Sequence, residues 1–144
     1  MGFKLQARPY SPESTPEEIT AIKNRISLYR DDIIMYREMP VQSSFHLDLF
    51  QERLTELAAK MPSYALLVDL TEAEFPSVQI RMKLRTVLGA QRNLRKIAVF
   101  TGRNALINVA AKFVLGDLGT KPFSVHKTKD DALGALTLGL SAWV

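Results

Sequence analysis

The distribution of apolar and polar residues predicts a chain of short strands alternating with helices. Five runs rich in β-branched and aromatic residues, bounded by turn-forming residues, predict strands at Arg25–Tyr29, Ile33–Met39, Tyr64–Leu70, Arg95–Thr101 and Phe123–His126. The first two are separated only by Arg30, Asp31 and Asp32, which predicts a hairpin. The third, YALLVDL, is continuously apolar up to its aspartate, which is typical of a central strand covered on both faces.

Apolar residues at helical spacing predict helices around these strands. Thr15, Pro16 and Glu18 form an N-cap pattern that predicts a short helix ending near Asn24. Four longer helices are predicted between Pro40 and Pro62, after Ser77, from about Asn104, and after Thr128. In the helix from Asn104, the spacing predicts an inward face made of Leu106, Val109, Ala110, Phe113 and Val114.

The order of these elements predicts an α/β fold. A hairpin is followed by three alternations of helix and strand and a terminal helix, which favours parallel pairing of the later strands. We therefore expect a mixed, mostly parallel sheet of about five strands with about four main helices. The 144 residues fall in the size range of one domain, and the stretch before Thr15, which contains Pro9 and Pro12, is predicted to be a mobile arm.

The helix after Ser77 has an outer face that suggests a protein contact. Its predicted inner face consists of Ile80, Leu84, Val87 and Leu88. Val78, Met82 and Arg85 then lie outward, and methionine and arginine are enriched in the cores of interfaces. Isolated exposed apolar residues are also common on monomers, so an ordinary surface is the alternative.

Composition narrows the classes of function. Apolar residues make up 47% and charged residues 24% of the chain, as in ordinary globular domains. The absence of cysteine excludes disulfides, thiolate catalysis and cysteine-ligated zinc. Without a signal-peptide core or a long apolar run, we expect a cytoplasmic protein with no transmembrane segment. A net charge of +4 favours attraction of phosphate or anionic lipid, but Lys and Arg are scattered between acidic residues, which instead predicts a mixed-charge, solvated surface.

Four segments with core-like patterns carry a resemblance to a known family. They are LLVD at Leu66–Asp69, KIAVFTG at Lys96–Gly102, NVAAKF at Asn108–Phe113 and KPFSVHKTKDDAL at Lys121–Leu133. In this pattern the chain resembles the STAS-like family, the fold of the anti-sigma-factor antagonists and of related bacterial SpoIIAA-like domains. The resemblance covers about residues 25 to 140. It implies one STAS-like domain at residues 25–144, preceded by a flexible arm with a short helix at residues 1–24.

The same resemblance implies a non-catalytic regulatory module. In the antagonists, a serine at the start of the helix after the central strand is phosphorylated, and the surrounding surface chooses between protein partners. That region falls here on Phe75–Gln79. The family pattern has an aspartate directly before the phosphorylated serine, whereas this chain has no such aspartate and has Ser77 followed by Val78. Ser77 is therefore predicted to be a helix cap. The partner-binding residues predicted on this basis are Phe75, Ser77, Val78, Met82 and Arg85.

No set of residues predicts catalysis or a metal site. His46 and His126 have no second ligand at a suitable spacing, and Glu72 and Glu74 have no partner base. The turn formed by Thr101, Gly102, Arg103 and Asn104 could receive an anion on its N–H groups, but one glycine is a weak signal. We expect no cofactor and no enzymatic activity.

A second set imitates the magnesium-binding residues of phosphate-accepting receiver domains. It consists of Asp31, Asp32, Asp69, Thr101 and Lys121. In a receiver these groups converge at the carboxyl ends of the strands. Here Asp31, Asp32 and Lys121 precede their strands, so we expect them at the opposite edge of the sheet from Asp69 and Thr101.

The function predicted from the sequence is therefore a non-catalytic regulatory domain that binds a partner protein. The alternative is a small-molecule or lipid-binding domain of the SEC14/STAS-like type that holds an amphiphilic ligand. Nucleic-acid binding through Arg81, Arg85, Arg92, Arg95 and Lys96 is disfavoured, because aromatic residues do not alternate with these arginines. A homodimer is left open.

Overall fold

Five strands form one mixed sheet in a computed structural model of the chain, which describes residue 11 and residues 13–30, 32–116 and 121–137. The strands are β1 (Ile26–Arg30), β2 (Ile33–Arg37), β3 (Tyr64–Asp69), β4 (Leu94–Phe100) and β5 (Phe123–His126). They lie side by side in chain order, with β1 antiparallel to β2 and all later pairs parallel. The predicted α/β fold with an N-terminal hairpin is confirmed. Asp31 and the first ten residues of the predicted arm lie outside the described residues.

Five helices accompany the sheet within the described residues. They are α1 (Pro16–Lys23), α2 (Ser44–Ala58), α3 (Val78–Gly89), α4 (Ala105–Gly116) and α5 (Lys129–Thr137). The Thr15 hydroxyl accepts the Glu18 N–H while the Glu18 carboxylate accepts the Thr15 N–H, so the predicted cap of α1 is confirmed. No helix among the residues described above is both long and apolar enough to cross a bilayer.

The two faces of the sheet bury different cores. Because side chains alternate along a strand, Leu66 and Val68 of β3 face α2, α3 and α4, whereas Ala65 and Leu67 face α5. Residues 64–68 are all buried, as the unbroken apolar run predicted. A third cluster joins α1 to α2 through Ile22, Met39 and Leu49.

The predicted inner face of α4 is partly wrong. Ala110 and Val114 are buried, together with Ile107, Ala111 and Leu115. Leu106, Val109 and Phe113 instead point outward and are 68%, 63% and 58% exposed. The helix is apolar on both faces, so spacing alone could not choose between them, and the small side chains of Ala110 and Ala111 suit the side that packs on the sheet.

Burial on both faces makes β3 the strand most sensitive to truncation. We expect Leu67→Ala to lower the free energy of unfolding by about 2–5 kcal/mol, because Leu67 is fully buried against α5 and the lost side chain leaves a cavity. Leu28→Ala is the matched control in the edge strand β1, where Leu28 is 54% exposed, and we expect a change within about 0.5 kcal/mol. Urea unfolding followed by circular dichroism measures both variants, and equal losses would contradict the two-sided core.

Candidate functional site

Six large apolar side chains lie exposed on two neighbouring helices and the loop before them. Phe75, Val78 and Met82 belong to the loop after β3 and to α3, and they are 52%, 58% and 60% exposed. Leu106, Val109 and Phe113 lie on the outer side of α4. We call these six residues, with Arg81 and Arg85, the α3–α4 surface. Clusters of exposed apolar groups on this scale mark interaction sites more often than scattered ones do.

Arginine side chains join the two halves of this surface. The Arg81 guanidinium carbon lies 5.7 Å from the centre of the Phe75 ring and 5.5 Å from the centre of the Phe113 ring. The Arg85 guanidinium carbon lies 5.0 Å from the centre of the Phe113 ring. Cation–π attraction at these distances holds flat aromatic and guanidinium groups together at the solvent boundary. The α3–α4 surface is therefore continuous across both helices.

The structure brings together most of the predicted partner-binding residues. Phe75, Val78 and Met82 are exposed on the same side of α3, as expected. Arg85 is half-buried and packs on Phe113. Ser77 accepts the Ile80 N–H on its hydroxyl at 3.2 Å and so caps α3. The contribution of α4 was missed because its exposed residues were predicted to face inward.

The charge pattern around the α3–α4 surface is also one-sided. Between Glu74 and Asp117 the sequence contains no Asp or Glu but has eight Lys and Arg residues, which is a sequence signal that the net charge of +4 conceals. In addition to Arg81 and Arg85, the exposed Lys112 of α4 is basic. The Lys83 ammonium on α3 pairs with Asp48 of α2 at 2.6 Å, and an excess of basic over acidic groups creates a positive potential over an apolar surface.

An apolar cavity of about 70 Å³, partly open to solvent, lies behind these helices. Its walls are the sheet face formed by β2, β3 and β4 and the inner sides of α2, α3 and α4, and they include Phe50, Leu66, Val68, Leu84, Leu88, Ile97, Val99, Ile107, Ala110, Ala111, Val114 and Leu115. The polar residues that line it are Tyr36, Glu38, Gln42 and Glu74. Apolar walls with a few polar groups at one end are characteristic of small-ligand sites.

A buried hydrogen-bond network centred on Glu38 borders the cavity. Glu38 Oε1 accepts hydrogen bonds from the Tyr36 hydroxyl, from the Met39 N–H at 2.8 Å and from His46 Nε2 at 2.8 Å. His46 Nδ1 in turn accepts the Ser43 N–H at 2.7 Å at the start of α2. Since Nδ1 is an acceptor, the ring hydrogen lies on Nε2 and points to Glu38.

Tyr36 connects this network to the core. Its ring stacks on Phe50 with the ring centres 4.0 Å apart. Burial and then the neighbouring Glu38 carboxylate raise the pKa of the Tyr36 hydroxyl well above its usual range, so the group stays protonated and donates to Glu38. Spacing along the sequence predicts no second ligand for His46, and it does not identify Tyr36 or Glu38 as neighbours of that residue. The sequence signal that could have paired Tyr36 with Glu38 is their spacing of two residues, which puts both side chains on the same side of an extended chain.

The predicted anion-binding turn is largely occupied by main-chain contacts. The N–H groups of Thr101 and Gly102 donate to the His126 and Lys127 carbonyls at 3.0 and 2.9 Å. Asn104 caps α4 by accepting the Ile107 N–H at 3.1 Å. Gly102 adopts a φ of +64°, the left-handed conformation that favours glycine, and Arg103 remains exposed. The anion site therefore remains a prediction. Two of its N–H groups are already engaged, and the exposed Arg103 side chain is still available to an anion.

The receiver-like residues lie at opposite edges of the sheet, as expected. Asp32 pairs with Arg95, and Lys121 Nζ donates to the Gln91 carbonyl at 2.6 Å, both near the starts of their strands. Asp69 ends β3, and Thr101 follows β4. Within the described residues no group of three His, Asp or Glu side chains is placed to hold a metal ion.

Comparison with known proteins finds no relative of this chain. No family model, no curated protein and no solved structure matches it. The contacts described above are therefore the basis for assigning a function.

Proposed function

We propose that the chain is a cytoplasmic, non-catalytic, STAS-like regulatory domain that binds a partner protein through the α3–α4 surface. The observation that carries this proposal is the set of six exposed apolar side chains on α3, on α4 and in the loop before α3, across which Arg81 contacts both the Phe75 and the Phe113 rings. The STAS-like assignment is supported by the alternating order of strands and helices after the hairpin. The loop and helix after the central strand form the first half of the binding surface, and α4 forms the second half.

The composition of the surface suits a protein interface. Phe75, Met82 and Phe113 are of the aromatic and methionine types enriched at interface cores, and Arg81 already rests against two rings. Fully burying one such apolar side chain contributes about 1.5–3 kcal/mol before the costs of association are deducted. Burial of several of them is enough to drive binding.

The charge of the surface defines the chemistry of its partner. Arg81, Arg85 and Lys112 surround the apolar groups, and α3 and α4 contain no acidic residue. A partner segment with apolar anchors flanked by Asp or Glu complements this arrangement. Charge complementarity mainly accelerates association, so binding should weaken as salt concentration rises.

A charge placed on α3 tests the binding surface. We expect Met82→Asp to weaken partner binding by about thirtyfold or more, because it removes an apolar anchor and places a carboxylate opposite the acidic groups of the partner. The tagged full-length chain is used to recover proteins from its own cells, and each recovered protein is purified and titrated by calorimetry.

Leu28→Asp is the matched control for Met82→Asp. Leu28 is 54% exposed, close to the exposure of Met82, but it lies on β1 at the other edge of the sheet from α4 and β5. We expect this control to bind every partner as the unmodified chain does. Equal binding by the Met82→Asp variant, or recovery of nucleic acid in place of protein, would contradict the proposal.

A second candidate function is the binding of a small amphiphilic molecule, which the apolar cavity favours. The cavity lies between the sheet and the inner sides of α3 and α4, and the polar residues that line it include Glu38 and Tyr36. Such a molecule would place its apolar part between the helices and the sheet. The two functions use opposite sides of the same helices and can coexist.

Filling the cavity tests the second function. We expect Ala111→Leu to weaken binding of 1-hexanol by about tenfold, because the added carbons occupy space that the ligand needs. Ala90→Leu at the exposed end of α3 is the matched control and should leave the affinity unchanged. Both affinities are measured by NMR titration of the methyl groups that line the cavity. Equal affinity in the two variants would contradict a ligand site there.

A further inference from the structure

The two oxygens of the Glu38 carboxylate differ in their hydrogen bonding. Its side chain is only 4% exposed, and all three of its side-chain hydrogen bonds are accepted by Oε1. Oε2 accepts no hydrogen bond from any residue in the described parts of the chain. Because Glu38 lines the apolar cavity, this oxygen is the acceptor available to a molecule inside it. Oε2 is not among the described side-chain atoms that are sealed from solvent without a partner, so a molecule that enters from solvent can reach it.

Among the described residues, no Lys or Arg side chain forms an ion pair with the Glu38 carboxylate. Its three donors are a phenol, a main-chain amide and the imidazole of His46, whose Nδ1 accepts the Ser43 N–H. The nearby Arg25 donates to the Glu38 main-chain carbonyl at 2.7 Å and to the Glu72 carboxylate at 2.8 Å. Arg25 therefore neutralises Glu72 in preference to Glu38. A buried charge that is hydrogen-bonded but unpaired is stabilised when a counter-ion reaches it.

The other groups around the cavity reinforce this preference for a positive charge. Glu74 is a second carboxylate residue at the wall, whereas none of the described residues that line the cavity is Lys, Arg or His. Gln42, which also lines the cavity, donates its amide N–H to the Glu74 main-chain carbonyl at 3.0 Å. The remaining walls are apolar, so the charged residue types that line the cavity are carboxylates.

We propose that the cavity binds small apolar amines, with Glu38 Oε2 accepting a hydrogen bond from the protonated amino group. This inference rests on the second candidate function and adds the chemistry of the ligand to it. The apolar part of the amine packs between the sheet and the inner sides of α3 and α4. The volume of about 70 Å³ accommodates a short alkyl chain, and the open side of the cavity allows a longer one to extend outward.

Three probes with the same alkyl chain separate the effect of charge from that of apolar burial. Hexylamine, 1-hexanol and hexanoate are titrated separately into the full-length protein at neutral pH, and binding is followed through the methyl signals of Leu66, Leu84 and Val114. We expect hexylamine to bind about tenfold more tightly than 1-hexanol, because a hydrogen bond to a charged group exceeds a neutral one. Hexanoate should bind most weakly of the three, since its carboxylate is repelled by Glu38.

Two carboxylate variants locate the selectivity. Glu38→Gln preserves the size of the side chain and should reduce the preference for hexylamine over 1-hexanol to about twofold or less. Glu56→Gln removes the charge of an exposed α2 residue that does not line the cavity, and it should leave the preference within about twofold of its original value. Circular dichroism establishes that each variant is folded, and the comparison of probes in the unmodified chain needs no variant at all.

The outcomes distinguish this inference from the functions it builds on. Equal binding of hexylamine and hexanoate would overturn the role of Glu38 while leaving an apolar ligand site in place. Failure of all three probes to shift the methyl signals would overturn both the inference and the second candidate function. Neither result affects partner binding by the α3–α4 surface, which Met82→Asp tests separately.

Discussion

Parallel pairing of β2, β3, β4 and β5 in chain order is the constraint on which the rest of the structure depends. Right-handed crossovers between consecutive parallel strands place all the connecting helices on the same face of the sheet. The shared core of α2, α3 and α4 follows from this rule, and α5 is left to cover the other face. The central strand β3 is consequently buried from both sides, with Leu66 and Leu67 fully inaccessible.

This arrangement gives α3 and α4 an inner side that lines the cavity and an outer side that is exposed. Their inner residues, such as Leu88 and Val114, line the cavity, while Met82 and Phe113 lie on the outer α3–α4 surface. A change in the separation of the two helices would alter both sites, because the same backbones carry both sets of side chains. A ligand inside and a protein outside could therefore influence each other, provided each binds one helix spacing better than another.

The apolar pattern predicted much of the fold because it records burial directly. β5 was predicted with its observed bounds, and the cap at Thr15 and the two-sided burial of β3 were also predicted. The outer side of α3 could be predicted because polar residues separate the apolar positions that face inward from the rest of the helix. α4 has no such contrast, so its exposed Phe113 was assigned to the core. The absence of acidic residues between positions 75 and 116 could have been read from the sequence as well.

The sequence by itself determined the α/β class, the order of elements and the exposed half of the surface on α3, because these depend on local periodicity and capping. Only the tertiary structure decided which side of α4 is buried and which polar groups meet at the cavity. Tyr36 lies in β2 and Glu38 directly after it, on the same side of the sheet, whereas His46 belongs to α2. These three residues share hydrogen bonds only because α2 packs against that side of the sheet. Contacts of this kind depend on the docking of whole elements, which spacing along a single chain does not encode.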